Sequence, residues 1–236
     1  MSGEPVAPKR FYKTVSVEPD DGRFALRLDG RPAKTPLRNP LSAPTEALAE
    51  AVAEEWDAQR ETIDRNAMPL TGMLTAAIDG GAALAAECCE DILNYVQSDL
   101  VCYRADGPAA LCERQAAVWD PFIDFMRSEF GAMLVTTSGI VAVGQPAASL
   151  AALRRTLEPL SPETLFALRI ATAISGSAVL ALSLWRKASD PEAIFEASRV
   201  DERFQEERWG VDEEAAQREA RLRGDFLIAV RFLSLL

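Results

Sequence analysis

The feature that most constrains the fold of this chain is a change of hydrophobic period near residue 44. Before it, Phe24, Leu26 and Leu28 alternate with other residues, the period of two that is typical of a half-buried β-strand. After it, Leu48 and Val52 recur at helical spacing, with glutamates on the opposite face. A chain that begins with strands and continues with helices is expected to belong to the α+β class.

Three short strands are predicted in the first forty residues. Residues 11–17 and 24–28 alternate apolar and polar side chains, and residues 31–35 continue the pattern. The acidic stretch 18–22, which contains proline and glycine, predicts a turn, and the Asp-Gly pair at 29–30 is typical of a hairpin. We therefore expect a small N-terminal sheet.

The rest of the chain is predicted to be mainly helical. Pro44 suits the first turn of the first helix, and Ser42 is its expected N-cap. Gly80-Gly81 separates two helical segments, and Pro121 is expected to kink another. The predicted helices are residues 44–59, 70–78, 84–103, 111–130, 147–157, 162–187, 191–209 and 212–236.

These elements predict two domains. A small β-containing N-terminal domain is expected over residues 1–70, followed by a larger all-α domain over 71–236. Residues 133–143 are β-branched around Ser138-Gly139, and we consider that they form a hairpin added to the N-terminal sheet. The sequence shows no internal repeat and no long linker.

The composition excludes several classes of function, chiefly because the chain has no histidine. Without histidine there is no Ser-His-Asp or Cys-His catalysis and no His-bearing zinc site. The 25 basic and 36 acidic side chains leave a formal charge of −11, which repels phosphate backbones, so no nucleic-acid partner is expected. Glycine-rich phosphate-binding motifs are absent from the sequence. Neighbouring acids such as Glu54-Glu55 point apart on a helix, so no metal site is expected either.

The four cysteines, Cys88, Cys89, Cys102 and Cys112, have no C-x-x-C spacing. Three of them lie in apolar, helical sequence, where a free cysteine behaves as a small hydrophobe. We expect them to be structural and reduced, which favours the cytoplasm. The uncharged stretch 170–185 has fewer than the roughly 18 residues of a membrane-spanning helix, so it predicts a buried helix.

One segment combines acidic side chains with an aromatic one. On a helix, Glu202, Gln205, Glu206 and Trp209 lie on one side. In one interpretation Trp209 packs inward just before Gly210, which would end the helix. In the other this acidic stripe is a protein contact, since aromatic anchors beside charged groups are typical of interface hot spots.

Several sequence blocks are together highly specific for one protein family. They run in order along nearly the whole chain: residues 10–13 (RFYK), 28–36 (LDGRPAKTP), 48–59 (LAEAVAEEWDAQ), 68–71 (MPLT), 76–79 (AAID), 98–105 (SDLVCYRA), 119–122 (WDPF) and 208–210 (RWG). On these blocks the chain resembles the assembly chaperones of the F1 part of ATP synthase, specifically the family that attends the alpha subunit.

The resemblance implies a β-containing N-terminal domain, a helical C-terminal domain, and an ATP-independent chaperone rather than an enzyme. Members of this family bind unassembled F1-ATPase alpha subunit, prevent its aggregation until beta displaces them, and need no nucleotide or cofactor. The resemblance also implies that the acidic stripe contacts the alpha subunit. The candidate contact residues are Glu202, Gln205, Trp209, Gly210, Glu213 and Glu214. We expect Glu202→Lys to spare folding and to weaken alpha binding.

The expected compartment is the bacterial cytoplasm. The resembling family occurs in mitochondria and in related bacteria. Residues 1–13 contain neither an apolar signal core nor an arginine-rich presequence, and the chain is rich in alanine and uses more arginine than lysine. The mitochondrial matrix is the expected compartment only if a presequence is missing from this sequence.

Two other functions remain open on the residues alone. A histidine-free hydrolase would need two carboxylates that converge in a pocket, with the pKa of one raised by burial. A membrane-associated helical protein would use residues 170–185, but we expect no stable membrane insertion. For the core, Trp56 and Trp119 are predicted to be buried, because each lies on the apolar face of an amphipathic helix.

Overall fold

The structure is a computed structural model that describes residues 8–139 and 142–236. These residues form two compact units, of which the second comprises Ala83–Leu233. The first unit contains the residues before it together with Ser234–Leu236, and it reaches past residue 70, where the sequence predicts a domain boundary. A four-stranded sheet lies in the first unit and most helices lie in the second, which confirms the predicted α+β class.

The sheet of the first unit is built around its second strand. Its strands are β1 (Val15–Asp20), β2 (Arg23–Leu28), β3 (Arg31–Pro32) and β4 (Ser42–Ala43). β2 pairs antiparallel with β1 along its whole length, and with β3 and β4 on its other edge. Leu26 and Leu28 of β2 are buried, as the alternating pattern predicts.

Both hairpin turns are Asp-Gly pairs in which each residue has a positive φ. The φ angles are 47° and 75° at Asp21 and Gly22, and 49° and 73° at Asp29 and Gly30. This is the signature of type I′ turns, whose twist matches that of the flanking strands. The first turn is shorter than predicted, because β1 continues to Asp20.

The first helix, α1 (Glu46–Asp57), buries Leu48 and Val52 on its apolar face. Thr45 caps it, since its Oγ1 accepts a hydrogen bond from the N–H of Leu48 at 3.2 Å. The predicted N-cap at Ser42 is wrong, because that residue pairs with β2 as part of β4.

The second helix, α2 (Pro69–Gln97), follows a 3₁₀ turn at Arg65–Ala67 and contains the predicted interruption. Gly81 has φ 51° and ψ −140°, a conformation outside the helical region that favours glycine. At the start of α2, the carboxylate of Glu55 accepts hydrogen bonds from the N–H groups of residues 70 and 71, both at 2.8 Å. It thereby satisfies two donors that a helix leaves free at its beginning.

Seven further helices follow α2 within the described residues, and two of the predicted long helices are each divided in two. Residues 162–187 are broken by Gly176, which has φ 69°, and residues 191–209 are broken after Ala197. A 3₁₀ turn at Leu100–Cys102 lies between α2 and the first of these seven helices. The helices are α3 (Ala109–Phe130), α4 (Ala147–Leu157), α5 (Pro162–Ser175), α6 (Ala178–Trp185), α7 (Pro191–Ala197), α8 (Val200–Trp209) and α9 (Glu213–Ser234).

A buried carboxylate fixes the junction between α5 and α6. Asp99 accepts hydrogen bonds from Ser177 Oγ at 2.6 Å, from the N–H of Val179 at 3.0 Å and from that of Val101 at 3.2 Å. Burial raises the pKa of Asp99 to about 6, although these hydrogen bonds oppose the rise. The stretch 170–185 is therefore largely buried, as predicted, but it contains a capped turn.

The described helices differ in length or hydropathy from a membrane-spanning segment. In the part of the chain that the structure describes, none of them combines the length and the apolar character that a membrane span requires.

A second, smaller sheet lies in the second unit. β5 (Tyr103–Arg104) and β6 (Thr137–Ser138) pair in parallel, and the N–H of Gly139 extends the contact by donating to the carbonyl of Arg104 at 3.0 Å. The predicted hairpin over 133–143 therefore differs from what the described residues form, because β5 and not the N-terminal sheet satisfies their backbone groups. Residues 140–141 of that prediction lie outside the described residues.

The two tryptophans predicted to be buried differ. Trp119 is fully buried, and its Nε1 donates to the carbonyl of Ala197 at 2.7 Å, which confirms the prediction. Trp56 is only partly buried, so the prediction is wrong for it. The reason is its place near the end of α1, where Tyr12 packs against the ring, with centroids 5.5 Å apart, and the ring also lines a surface cavity.

Candidate functional site

The predicted contact residues lie at the end of α8 and in the turn that leads to α9. α8 ends at Trp209 because Gly210 has φ 86° and ψ 167°, a conformation in which a side chain would be strained. Trp209 is 76% exposed and Val211 is 66% exposed. The inward-packing interpretation of Trp209 is therefore wrong, because the buried positions of α8 are those of Val200 and Phe204.

The acids of the stripe are already paired with arginines near them in the sequence. Glu202 lies 2.9 Å from Arg199, and Glu206 lies 2.9 Å from Arg203. Each pair joins residues three positions apart, which are neighbours on a helix surface. Gln205 is exposed. The stripe consequently presents less unpaired negative charge than the sequence suggests.

Arg203 is the centre of a larger charge cluster. Besides Glu206, its guanidinium donates to Glu196 of α7 at 2.9 and 3.0 Å and to Glu219 of α9 at 2.5 and 3.1 Å. The hydrogen bonds from Arg203 hold the pKa of Glu196 below its usual value, although partial burial opposes the shift. One side chain thus joins α7, α8 and α9.

Side chains of α3 also fasten α8. Arg114 donates two hydrogen bonds to the carboxylate of Glu207, at 2.7 and 2.8 Å, and these lower the pKa of that carboxyl. Gln115 is buried and donates to Asp201 at 2.6 Å. The guanidinium of Arg114 also lies 5.4 Å from the centre of the Phe204 ring. α8 is therefore held by three helices, α3, α7 and α9, while its C-terminal end stays exposed.

Six exposed residues at this end form what we call the α8–α9 surface. They are Gln205, Trp209, Gly210, Val211, Glu213 and Glu214. Sequence reasoning missed Val211, which an apolar residue placed directly after a helix-ending glycine could have indicated. Glu202 lies only partly exposed beside Arg199 rather than with this set. A role of these residues in a contact stays a prediction.

A hydrolase would need two carboxylates that converge in a pocket, and the described residues show no such pair with one pKa raised by burial. The carboxyl whose pKa burial raises is that of Asp99, and its two oxygens are occupied by the hydrogen bonds that cap α6. Within residues 8–139 and 142–236, no three side chains of the metal-binding types lie together. What the α8–α9 surface presents is exposed apolar side chains with polar ones beside them.

The cysteines behave as core residues. Cys88, Cys89 and Cys102 are buried free thiols, and Cys112 is partly exposed. Burial raises the pKa of the three buried thiols, that of Cys102 to about 12. A thiol that stays protonated is a poor nucleophile and a poor metal ligand, which agrees with the structural role predicted for them.

Comparison with known proteins gives consistent matches. Residues 9–127 match the family model described as ATP12 chaperone protein. Atp12 from Paracoccus denitrificans is 41% identical, with 97% of this chain and 98% of that chain covered and a TM-score of 0.90. A mutant of P. denitrificans Atp12p with an aspartate-to-lysine substitution is 40% identical, with 97% of each chain covered and a TM-score of 0.93. The candidate chaperone Atu1473 from Agrobacterium tumefaciens is 40% identical, with 96% of this chain and 85% of that chain covered and a TM-score of 0.89.

Proposed function

Because this chain belongs to the ATP12 family of chaperones of ATP synthase assembly, we propose that it binds the unassembled alpha subunit of F1-ATPase. It keeps the free subunit from aggregating and hands it over when the beta subunit takes its place. It acts in the bacterial cytoplasm, without a nucleotide or a cofactor, and it is not an enzyme.

The observation that best supports this function is the apolar group exposed at the end of α8. Trp209 and Val211 are both more than half exposed, although burying such side chains is worth about 1.5–3 kcal/mol each. Contiguous exposed apolar groups rimmed by polar residues are typical of protein-interaction sites. Gln205 and Glu213 provide such a rim here.

The same physics explains how a client is released. A free alpha subunit exposes the apolar face that beta covers in the assembled enzyme, and such faces aggregate. A chaperone that covers the face reversibly lowers the concentration of the aggregating species, and beta displaces it by mass action. An interface with few apolar anchors and a polar rim suits this exchange, because binding stays reversible.

The function is tested by diluting denatured F1 alpha subunit into buffer with and without this protein, without nucleotide, and following light scattering. We expect suppression near a one-to-one ratio, and none for an unrelated aggregating protein. Light scattering of alpha that does not change in the presence of the folded protein would contradict the proposal.

Two pairs of variants locate the contact. Trp209→Ser is expected to lose most of the suppression, whereas Met133→Ser, which changes an equally apolar and 65% exposed residue, retains it. Glu202→Lys is compared with Arg199→Gln, which breaks the same ion pair and also the longer contact of Arg199 with Glu219 at 3.8 Å. Weakening by Glu202→Lys alone supports a direct contact of Glu202 with the client, and equal weakening by both variants shows that the pair acts only through the shape of α8.

A further inference from the structure

A groove on the first unit has features that the α8–α9 surface does not explain. Two cavities, of about 580 and 540 Å³, share Phe11, Lys34 and Trp56 in their walls. Both volumes fall within the range of ~300–1,000 Å³ that is typical of binding pockets. Ile63 and Met68 add further apolar wall. We call the two cavities together the Trp56 groove.

The rim of the Trp56 groove is cationic in a molecule whose net charge is −11. Arg31, Lys34 and Arg65 line it and are exposed, and within the described chain none of the three makes an ion pair. The acidic residue in the wall, Asp29, is already engaged. Its Oδ1 accepts hydrogen bonds from the N–H groups of residues 13 and 14 at 3.0 and 2.9 Å. Asp29 keeps its negative charge, but three cations against this one anion leave the lining positive, and that charge is available to a partner.

Phe11 stands at the groove in a defined position although it is 70% exposed. Its ring meets that of Tyr12 edge-on, with centroids 5.3 Å apart. Tyr12 is itself buried and donates its hydroxyl to the carbonyl of Trp56 at 2.7 Å. On the other side, Arg10 donates to the carbonyl of Asp57 at 3.0 Å. The residues on both sides of Phe11 in the chain are thus anchored and its ring contacts Tyr12, so it loses less conformational entropy when a partner covers it than an aromatic residue of a free loop would.

Trp56 supplies a donor without an acceptor. Its Nε1 is buried and makes no hydrogen bond within the described residues. A buried indole N–H usually has a partner. The unpaired donor marks Trp56 as a side chain whose polar atom the packing of the first unit leaves unsatisfied.

We propose that the Trp56 groove binds a segment of a client polypeptide in which an apolar side chain stands next to an aspartate or glutamate. The apolar side chain packs against Phe11 and the wall at Ile63 and Met68. The carboxylate lies against Lys34 or Arg65. This inference rests on the proposed chaperone function and adds to it a second contact surface, in the first unit.

Charge and apolar area together select this occupant. A small inorganic anion would satisfy the cations but leave the apolar walls uncovered. A purely apolar segment would cover the walls but bring the cations out of water without a partner. Over the rest of an acidic molecule an acidic segment is repelled, and at this rim it is attracted.

The proposal is tested with the full chain and three short fluorescent peptides, using fluorescence anisotropy. One peptide has a leucine-phenylalanine pair flanked by glutamates, the second has the same pair flanked by lysines, and the third has serines in place of the pair between glutamates. We expect the first to bind and the other two to bind about tenfold more weakly or less. Added salt is expected to weaken the first peptide's binding.

Variants that reverse the charge of the rim test whether the peptide binds in the Trp56 groove. The double variant Lys34→Glu, Arg65→Glu is expected to bind the glutamate-flanked peptide about tenfold more weakly and to prefer the lysine-flanked one. Arg60→Glu is the matched control, because Arg60 is equally exposed in the same unit and lines neither cavity. Thermal unfolding checks that all variants are folded.

Equal binding of the three peptides overturns the proposal, and so does equal binding of the first peptide by the wild type and the double variant. This readout is separate from the aggregation assay with the alpha subunit. Suppression of alpha aggregation without peptide selectivity removes the groove proposal alone. Selective peptide binding without suppression removes the assignment of alpha as the client and leaves the groove in place.

Discussion

Two surfaces of the molecule expose an aromatic side chain, but their charges are arranged in opposite ways. On α8, which ends at the exposed Trp209, Glu202 and Glu206 are each paired with an arginine of the same unit. Beside Phe11, the cations Lys34 and Arg65 have no ion-pair partner among the described residues. The acids of α8 therefore use their charge to hold the helix in place, whereas the cations of the Trp56 groove keep theirs for a partner.

The comparison shows that the net charge of a sequence does not tell which charges are available for recognition. This chain carries 36 acids and 25 bases, which suggests a protein that recognises others through negative charge. The stripe of acids on α8 is instead largely neutralised by nearby arginines. The charge that is free to act at a cavity is positive.

The largest expected effect comes from Arg203, which bonds carboxylates of three helices. Arg203→Met leaves those acids facing one another in a partly buried cluster. We expect a loss of about 2 kcal/mol in the free energy of unfolding, between the values of about 1 kcal/mol for exposed and 3–5 kcal/mol for buried pairs. Arg127→Met, which breaks an exposed pair with Asp124, is expected to cost less than about 0.5 kcal/mol. Urea denaturation measures both.

The same variant has a defined pH dependence. Arg203 holds the pKa of Glu196 below its ordinary value of 4.5, so the stabilisation is present above that pH and is lost as the pH falls through the lower folded-state value. The difference between wild type and Arg203→Met should therefore be largest at neutral pH and shrink in acid. A difference that stays constant down to low pH would show that the cluster does not hold α8 by charge.

A smaller effect is expected from the glycine that ends α8. Gly210→Ala places a side chain at φ 86° and should cost about 1 kcal/mol of stability. Gly224→Ala is the matched control, because Gly224 is an exposed helical residue of α9 and an added Cβ meets nothing within 4 Å. The control is expected to stabilise by about 0.5–1 kcal/mol.

The two glycine variants also separate shape from contact at the α8–α9 surface. If Gly210 matters because it directs Trp209 outward, Gly210→Ala weakens alpha binding and Gly224→Ala does not. Equal alpha binding by both variants would show that the backbone conformation at Gly210 is not needed to present Trp209.

The fold could be predicted where local chemistry decides it. The Asp-Gly turns, the break at Gly81 and the end of α3 at Gly131 were all visible as glycines between segments of clear period. The division of residues 162–187 was missed although Gly176 and the N-cap Ser177 are a local signal of the same kind. What the pattern could not show is that Asp99, far away in the sequence, also holds this junction by accepting hydrogen bonds from Ser177 and Val179. Sequence pattern does not reveal a distant hydrogen-bond acceptor.

The candidate sites, too, could be predicted where neighbouring residues define them and not where distant segments do. Trp209 stood out because an aromatic residue on a polar stripe is unusual, and its exposure agrees with the contact interpretation. The pairing of Glu202 with Arg199 follows from their spacing of three on a helix, which the contact interpretation of the acidic stripe does not take into account. The Trp56 groove was missed altogether, since its walls come from separate segments that only the sheet and α1 bring together.

The Trp56 groove is lined in part by the loop that contains Thr35 and Pro36, and Asp79 of α2 holds this loop by hydrogen bonds. Asp79 accepts hydrogen bonds from Thr35 Oγ1 at 2.5 Å, from Asn39 Nδ2 at 2.9 Å and from the N–H of Leu37 at 3.2 Å. Partial burial acts to raise the pKa of Asp79, but the three hydrogen bonds together hold it below its usual value of 3.8. The carboxylate is therefore charged throughout the neutral range, and the loop stays tied to α2.

Asp79→Ala should have the smallest effect of the set, because it removes the ties of the loop and none of the groove's own walls. We expect the glutamate-flanked peptide to bind about threefold more weakly, since the loop must then be ordered on binding. Asp20→Ala makes the same charge change at an exposed position of β1 and is expected to leave the affinity unchanged. If both variants strengthen binding equally, the effect of Asp79 is that of its negative charge alone. A loss confined to Asp79→Ala would show that the groove is positioned by the same kind of internal pairing that holds α8, with only its rim left free.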